Sequence, residues 1–255
     1  MSVPRVATIF FLLAVSSCHS MKFEPWRTLP GKMKKVSAGV KGIYGINLNN
    51  DVYRLNGKTW TAIGSGRNNV VVASGVDDVW ILKEDGSIRI GDGERDSWTT
   101  IPGNQKSLDV SNNGNVWSLN RHGPIWIYRG RGAWGKLDGG GVQVTAGNSG
   151  VWHVNSNGKV YYRRYTYNDP NTDGWGWVEV FAPVEMKWLA SGTNLLLAVS
   201  KKSDLYYRDG MSSGSPTGTR WVKVSGIKLD MVAVQHNLVI GTDSSNNVKY
   251  SKIFY

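Results

Sequence analysis

A tryptophan with an aliphatic residue three positions later recurs six times along this 255-residue chain. The copies are WRTL at Trp26, WTAI at Trp60, WTTI at Trp98, WGKL at Trp134, WVEV at Trp177 and WVKV at Trp221. Successive tryptophans stand 34, 38, 36, 43 and 44 residues apart. This self-similarity constrains the fold more than any other feature, because a unit of about 40 residues cannot bury its apolar face alone. The copies must stack, each covering its neighbour.

Every copy carries the same further pieces in the same order. First comes a short strand of small residues: VSAG from Val36, VASG from Val72, DVSN from Asp109, VTAG from Val144, LASG from Leu189 and MVAV from Met231. A hydrophobic-aromatic strand follows: IYGIN from Ile43, VWILK from Val79, VWSLN from Val116, VWHVN from Val151, LLAVS from Leu196 and VIGTD from Val239. After a polar turn comes a third: VYRL from Val52, IRIG from Ile88, IWIY from Ile125, VYYRR from Val160, LYYR from Leu205 and VKYS from Val248. These three and the next tryptophan strand make four short antiparallel strands per repeat, which is the arithmetic of a propeller blade. The pattern predicts an all-β chain, a six-bladed β-propeller over residues 21–255. Asp85-Gly86 and Asn157-Gly158 mark tight hairpins, whose central residues need positive φ. The two longest periods come from insertions at 165–176 and 210–220, between third and fourth strands. The first tryptophan strand has no blade before it, and the last copy has no fourth strand after Tyr255. Pairing them closes the ring and hides its open edges.

Residues 1–20 read as a secretory signal. Arg5 is their only charged residue, and Val6 to Val15 is almost wholly apolar. That run is shorter than the about 20 residues a membrane-spanning helix needs. Ser16, Ser17, Cys18 and Ser20 give a small-residue exit, with cleavage after Ser20. The alternative for this segment is a bacterial lipobox, VSSC, which would direct lipidation of Cys18. The expected location is secreted and extracellular, with no transmembrane segment. Cys18 is the single cysteine, so the mature chain would hold no disulfide, no thiolate metal site and no thiol nucleophile. No Asn-x-Ser/Thr sequon occurs. The formal net charge of +11 favours acidic partners such as charged glycans or an anionic glycolipid; nucleic acid is not the expected partner.

The sequence W-x-x-aliphatic, V-S-x-G, V-W-x-V-N, polar turn, I-Y-x-R resembles the tectonin repeat, and the resemblance runs from Trp26 to Tyr255. The whole-chain layout is similar to that of fish-egg lectins and of the horseshoe-crab tachylectin that recognises lipopolysaccharide. The resemblance implies a six-bladed propeller and a multivalent, non-enzymatic lectin. It implies binding of N-acetylglucosamine-type sugars or bacterial surface glycans on microbial or egg surfaces, in agglutination or innate-immune recognition. Two departures stand out. Fish-egg lectins are disulfide-bonded, and the fifth and sixth copies here, LLAVS and VIGTD, lack the strand Trp and Asn.

Catalysis is poorly supplied. His122, His153 and His236 fall in three different copies with no metal-ligand spacing, and no serine lies in a G-x-S-x-G elbow. No cofactor is expected; Asp77 and Asp78 are adjacent carboxylates, either a weak calcium site or the entry to a hairpin. Sugar binding needs an aromatic face with amide or guanidinium groups beside it. Asn47, Asn120 and Asn155 recur near the end of the second strand, where they either cap turns or meet sugar hydroxyls. Arg54, Arg163 and Arg208 follow Tyr53, Tyr162 and Tyr207 at the end of the third, where the pairs either stack between blades or line pockets. Trp175 sits outside the repeat frame, in the first insertion, as a ligand platform or a packing residue. The six repeat tryptophans are expected to pack between blades with their N–H groups bonded locally. Two readings compete with the lectin: a propeller docking protein partners, and a basic module binding anionic lipid or polyanion.

Overall fold

The computed structural model describes residues 21–254 apart from Ser65, Pro170 and Asn171. The leader, its cleavage after Ser20 and Cys18 lie outside the described residues. Those described form twenty-four strands and no helix. They build antiparallel sheets of four strands, ordered inner, second, third and outer. The inner strands of the second to sixth sheets are Asn69–Ser74, Gln105–Val110, Gln143–Gly147, Met186–Ser191 and Met231–Gln235. Each repeat tryptophan begins or lies in an outer strand, except Trp26, which immediately precedes one.

One long strand, Arg27–Gly39, belongs to two sheets. Its first part pairs with the third strand of the sixth sheet, Leu29 opposite Val248. Its second part is the inner strand of the first sheet, with Val36 opposite Gly45. The change of partner falls at a register shift around Gly31, which has φ +84. A residue there must tolerate the left-handed region, and a Cβ would meet the Trp60 ring at 3.3 Å. Each inner strand packs beside the next, and the sixth packs beside the first. They surround a narrow axial channel.

No sheet owns a core. The buried apolar residues fall into six clusters, each shared by two consecutive sheets. Tyr44 and Ile46 of the first sheet pack on Val79 and Ile81 of the second, and Met231 and Ile240 of the sixth pack on Leu29 and Val36. One repeat tryptophan joins each cluster: Trp26, Trp60, Trp98, Trp134, Trp177 and Trp221. Second strands such as Val79–Lys83 and Val116–Asn120 are buried on both faces, which is why they read as unbroken apolar runs.

From the sequence the tryptophan N–H groups are expected to bond locally; five of the six repeat indoles instead reach the preceding sheet. Trp60 donates to Pro30 O at 3.0 Å, Trp134 to Pro102 O at 2.7 Å, Trp177 to Asp138 O at 2.9 Å and Trp221 to Phe181 O at 3.0 Å. Trp98 makes the same bond to Gly64 O. The acceptors follow or end the neighbouring outer strand, so each indole ties one blade to the one before it. Trp26 stacks on Phe23 with ring centroids 5.9 Å apart.

Candidate functional site

The recurring asparagines lie where the second strand turns into the third, and their side-chain oxygens hold that turn. Asn47 Oδ1 accepts from the Asn49 and Asp51 amides at 2.9 Å, and Asn155 Oδ1 from Asn157 and Lys159 at 3.0 Å. Asn120 Oδ1 accepts from the His122 amide at 3.0 Å. Where the sixth copy lacks Asn, Asp243 does the same for Ser245 and Asn247 at 2.9 Å. These are Asx turns, in which the short side chain substitutes for a backbone acceptor.

The arginines stand at the other end of the third strand, one strand length away. Val160–Arg163 is four residues long, so its two ends lie about 10 Å apart at strand rise. The asparagines and the Tyr/Arg pairs therefore do not share pockets, contrary to the expectation that these recurring positions give several similar pockets around the ring. Nor do the three arginines occupy one position. Arg54 stands opposite Tyr44, the place that Tyr162 and Tyr207 fill opposite Trp152 and Leu197. Arg163 and Arg208 come one residue later, and a one-residue offset turns a side chain to the other face. Arg54 pairs with Glu94 of the second sheet at 3.1 Å.

Arg163 and Arg208 perform one task twice. The Arg163 guanidinium lies 5.2 Å from the Trp177 ring centroid, and that of Arg208 lies 5.3 Å from Trp221. Arg163 donates to Asp173 O at 2.8 Å and Gly174 O at 3.2 Å, and pairs with Asp138. Arg208 donates to Thr217 O at 2.6 Å and Gly218 O at 3.3 Å. Each arginine thus fastens the insertion that follows its strand, and burial lowers the pKa of Arg208. Arg129 of the third sheet pairs with Asp173 and ties down the first insertion from the side. At Gly174, with φ +60, a side chain would run into the Arg164 carbonyl.

The two fastened insertions border a cleft of about 740 Å³ on the face of the ring that carries them. Tyr167 and Asn168 come from the first insertion, Gly210 to Ser213 from the second. Asn194 and His236 come from the inner-to-second turns of the fifth and sixth sheets, and Tyr207 and Arg208 close one side. The Tyr167 hydroxyl donates to Asn194 Oδ1 at 2.8 Å, and Asp209 pairs with Arg220 at 2.9 Å. The cleft thus offers aromatic rings beside amide, hydroxyl and imidazole groups, with its acid and its arginine already engaged. Tyr207 and Arg208 were legible in the sequence as candidate sugar contacts; Asn194 and His236 were not, since they sit in aperiodic turns. Tyr162 is buried beside this region, and Trp175 is 67% exposed, with Arg164 over its ring at 5.8 Å.

Asp78 accepts the Trp80 N–H at 3.0 Å, and burial raises its pKa. Among the described residues no three His, Cys, Asp or Glu side chains gather, and no helix is long and apolar enough to cross a membrane.

Residues 45–244 match the tectonin domain. The chain belongs to the tectonin family. Part of it is similar to the 31 kDa subunit of perivitellin-2 from Pomacea maculata, 33% identical over 81 residues. A tectonin β-propeller repeat-containing protein of Drosophila melanogaster is 28% identical over 86 residues. These matches take in 32% and 31% of this tectonin chain but only 27% and 6% of the two relatives. Among solved structures, a Bacteroides thetaiotaomicron protein of unknown function superposes with a TM-score of 0.65 at 8% identity, covering 92% of this chain and 77% of that one. A chain of the mitotic checkpoint complex gives 0.60 at 10% identity, with 98% and 100% covered. YCF48 bound to a D1 peptide gives 0.55 at 16%, with 90% and 81% covered. At such identities the likeness is one of fold alone.

Proposed function

We propose that this tectonin chain is a secreted, non-catalytic carbohydrate-binding protein that takes N-acetylglucosamine-type or bacterial surface glycans in the cleft beside Tyr207. The cleft carries the reading: it sets the half-buried Tyr167 ring beside neutral hydrogen-bonding groups, with the largely buried Tyr207 closing one side. A pyranose has an apolar face for the ring and hydroxyls for Asn194, Ser212 and His236. The same groups are poorly arranged for hydrolysis, since Asp209 is held by Arg220 and, among the described residues, no second carboxylate lines the cleft. Removal of residues 1–20 on secretion completes the proposal, and the likeness to a perivitellin subunit is in keeping with it.

A glycan array probed with residues 21–255 tests this. Saturable binding that free sugar competes away, and that His236→Gly at the exposed positive-φ turn loses while the fold persists, supports it; an array with no bound glycan sinks it. The charge of +11 keeps a second reading in play, in which an anionic lipid or polyanion is held electrostatically. Such binding would fall steeply between 50 and 200 mM salt, by about 10³-fold or more for six phosphate-like contacts, whereas cleft binding of a neutral sugar would hardly change.

A further inference from the structure

Next to the main cleft lies a second of about 410 Å³, lined by Tyr162, Arg164, Tyr165, Tyr167, Ser213 and Pro216. Tyr167 and Ser213 line both, so the two clefts form one groove that crosses from the first insertion to the second. The outer half is the more aromatic. Tyr165 is 72% exposed, and its backbone is held at φ +64. A bulky residue in the left-handed region is strained, and such strain persists only where surrounding structure imposes it. Here the Arg163 clamp on Asp173 and Gly174 and the Trp175 amide bond to Arg164 O at 3.1 Å impose it. The result is an exposed ring carried on a fixed backbone at the groove's end.

We propose that the groove binds an oligosaccharide of at least two sugar units, one in the Tyr207 cleft and one against Tyr165, and that the ring carries a single such site. This rests on the carbohydrate reading above and sharpens it. Each half has the volume of a small-ligand pocket, roughly 300–1,000 Å³. The single site follows from the walls: both are insertions after the third strand, and the long periods that mark them occur only in the fourth and fifth repeats. Multivalent binding by one chain, as expected from the repeats alone, is replaced by extended binding.

The test is isothermal titration of residues 21–255 with N-acetylglucosamine and with its β-1,4-linked tetramer. The comparison variant is Tyr165→Asn, because Asn tolerates positive φ and keeps the turn. The expected result is one site per chain, a tetramer bound about tenfold more tightly than the monomer, and loss of that gain in Tyr165→Asn with monomer affinity unchanged. Equal affinity for the two sugars, a gain that survives Tyr165→Asn, or several sites per chain overturns the groove. If neither sugar binds, recognition of N-acetylglucosamine-type sugars falls and the groove with it, while the glycan array decides the carbohydrate reading as a whole.

Discussion

His153 lies buried in the second strand of the fourth sheet, and the fold requires it uncharged. Its ring stacks on Tyr161 at 4.7 Å and meets the Trp177 ring edge-on at 4.5 Å. The Arg163 guanidinium lies over the same Trp177. Burial lowers the His153 pKa from 6.5 to about 4. The unfolded chain therefore binds a proton that the folded chain refuses between those two values. Stability is fully present above pH 6.5 and is lost as pH falls toward 4. At about 1.4 kcal/mol per pH unit, the gap between 6.5 and about 4 amounts to ~3 kcal/mol, a large part of the stability of an ordinary domain.

Acid destabilises proteins through many groups, so the wild-type curve alone decides nothing. His153→Phe keeps an aromatic ring in the stack and removes the titration. Urea unfolding of both proteins at pH 7.5, 6, 5 and 4 gives the difference in stability at each pH. That difference should move by ~3 kcal/mol in favour of the variant on going from pH 7.5 to 4, most of it below pH 6.5. A difference that stays flat across the series would show that His153 accepts its proton in the native state, and the buried-imidazole argument would be wrong.

Three further outcomes follow from the same contacts. Trp134→Phe deletes the bond to Pro102 O and should cost about 1–2 kcal/mol in urea unfolding, whereas exposed Trp175→Phe should stay within about 0.5 kcal/mol. Asp109 accepts from the Thr145 hydroxyl at 2.7 Å and the Ala146 amide at 3.0 Å, yet burial raises its pKa from 3.8 to about 6. Its contribution is present below 3.8 and lost as pH rises through 6, so Asp109→Asn should gain about 1–3 kcal/mol relative to wild type at pH 7.5 and nothing at pH 3.5. Arg163→Gln releases the carbonyls of Asp173 and Gly174, and limited trypsin digestion should then cut at Arg164 while the rest of the ring resists.

How far the sequence could be read depends on whether a residue's environment repeats. The tryptophans, the small inner strands and the apolar second strands recur because every blade meets its neighbour in the same way, and their period placed all the outer strands. The indole acceptors were missed because they lie 30 to 40 residues upstream, at a distance only the stacked ring makes short. Arg54 was misplaced because VYRL and VYYRR differ by one residue before the arginine, and a motif match does not see register. The cleft was half legible: Tyr207 and Arg208 belong to a strand, while Asn194 and His236 belong to turns with no pattern. Trp188, on the inner strand of the fifth sheet, went unmarked too, although Lys35 lies 4.3 Å from its ring at the channel.

The division of labour has a physical cause. A propeller blade is stable only against its neighbours, so whatever repeats is spent on neighbour contacts. Here five indole N–H groups bond the preceding outer strand. The asparagine oxygens are consumed by their own turns, and even the degenerate sixth copy keeps an acceptor there in Asp243. Arg163 and Arg208 are repeated as well, and they too are committed, each to the insertion beside it. What remains exposed is what does not repeat: Tyr165 and Trp175 on one insertion, and Asn194 and His236 at the cleft. A ligand site built from periodic residues would have to break the contacts that hold the ring, whereas one built from the insertions can vary without loosening a blade. Ligand selectivity in this chain should therefore follow substitutions in residues 165–176 and 210–220, while substitutions at the repeat positions should register as lost stability.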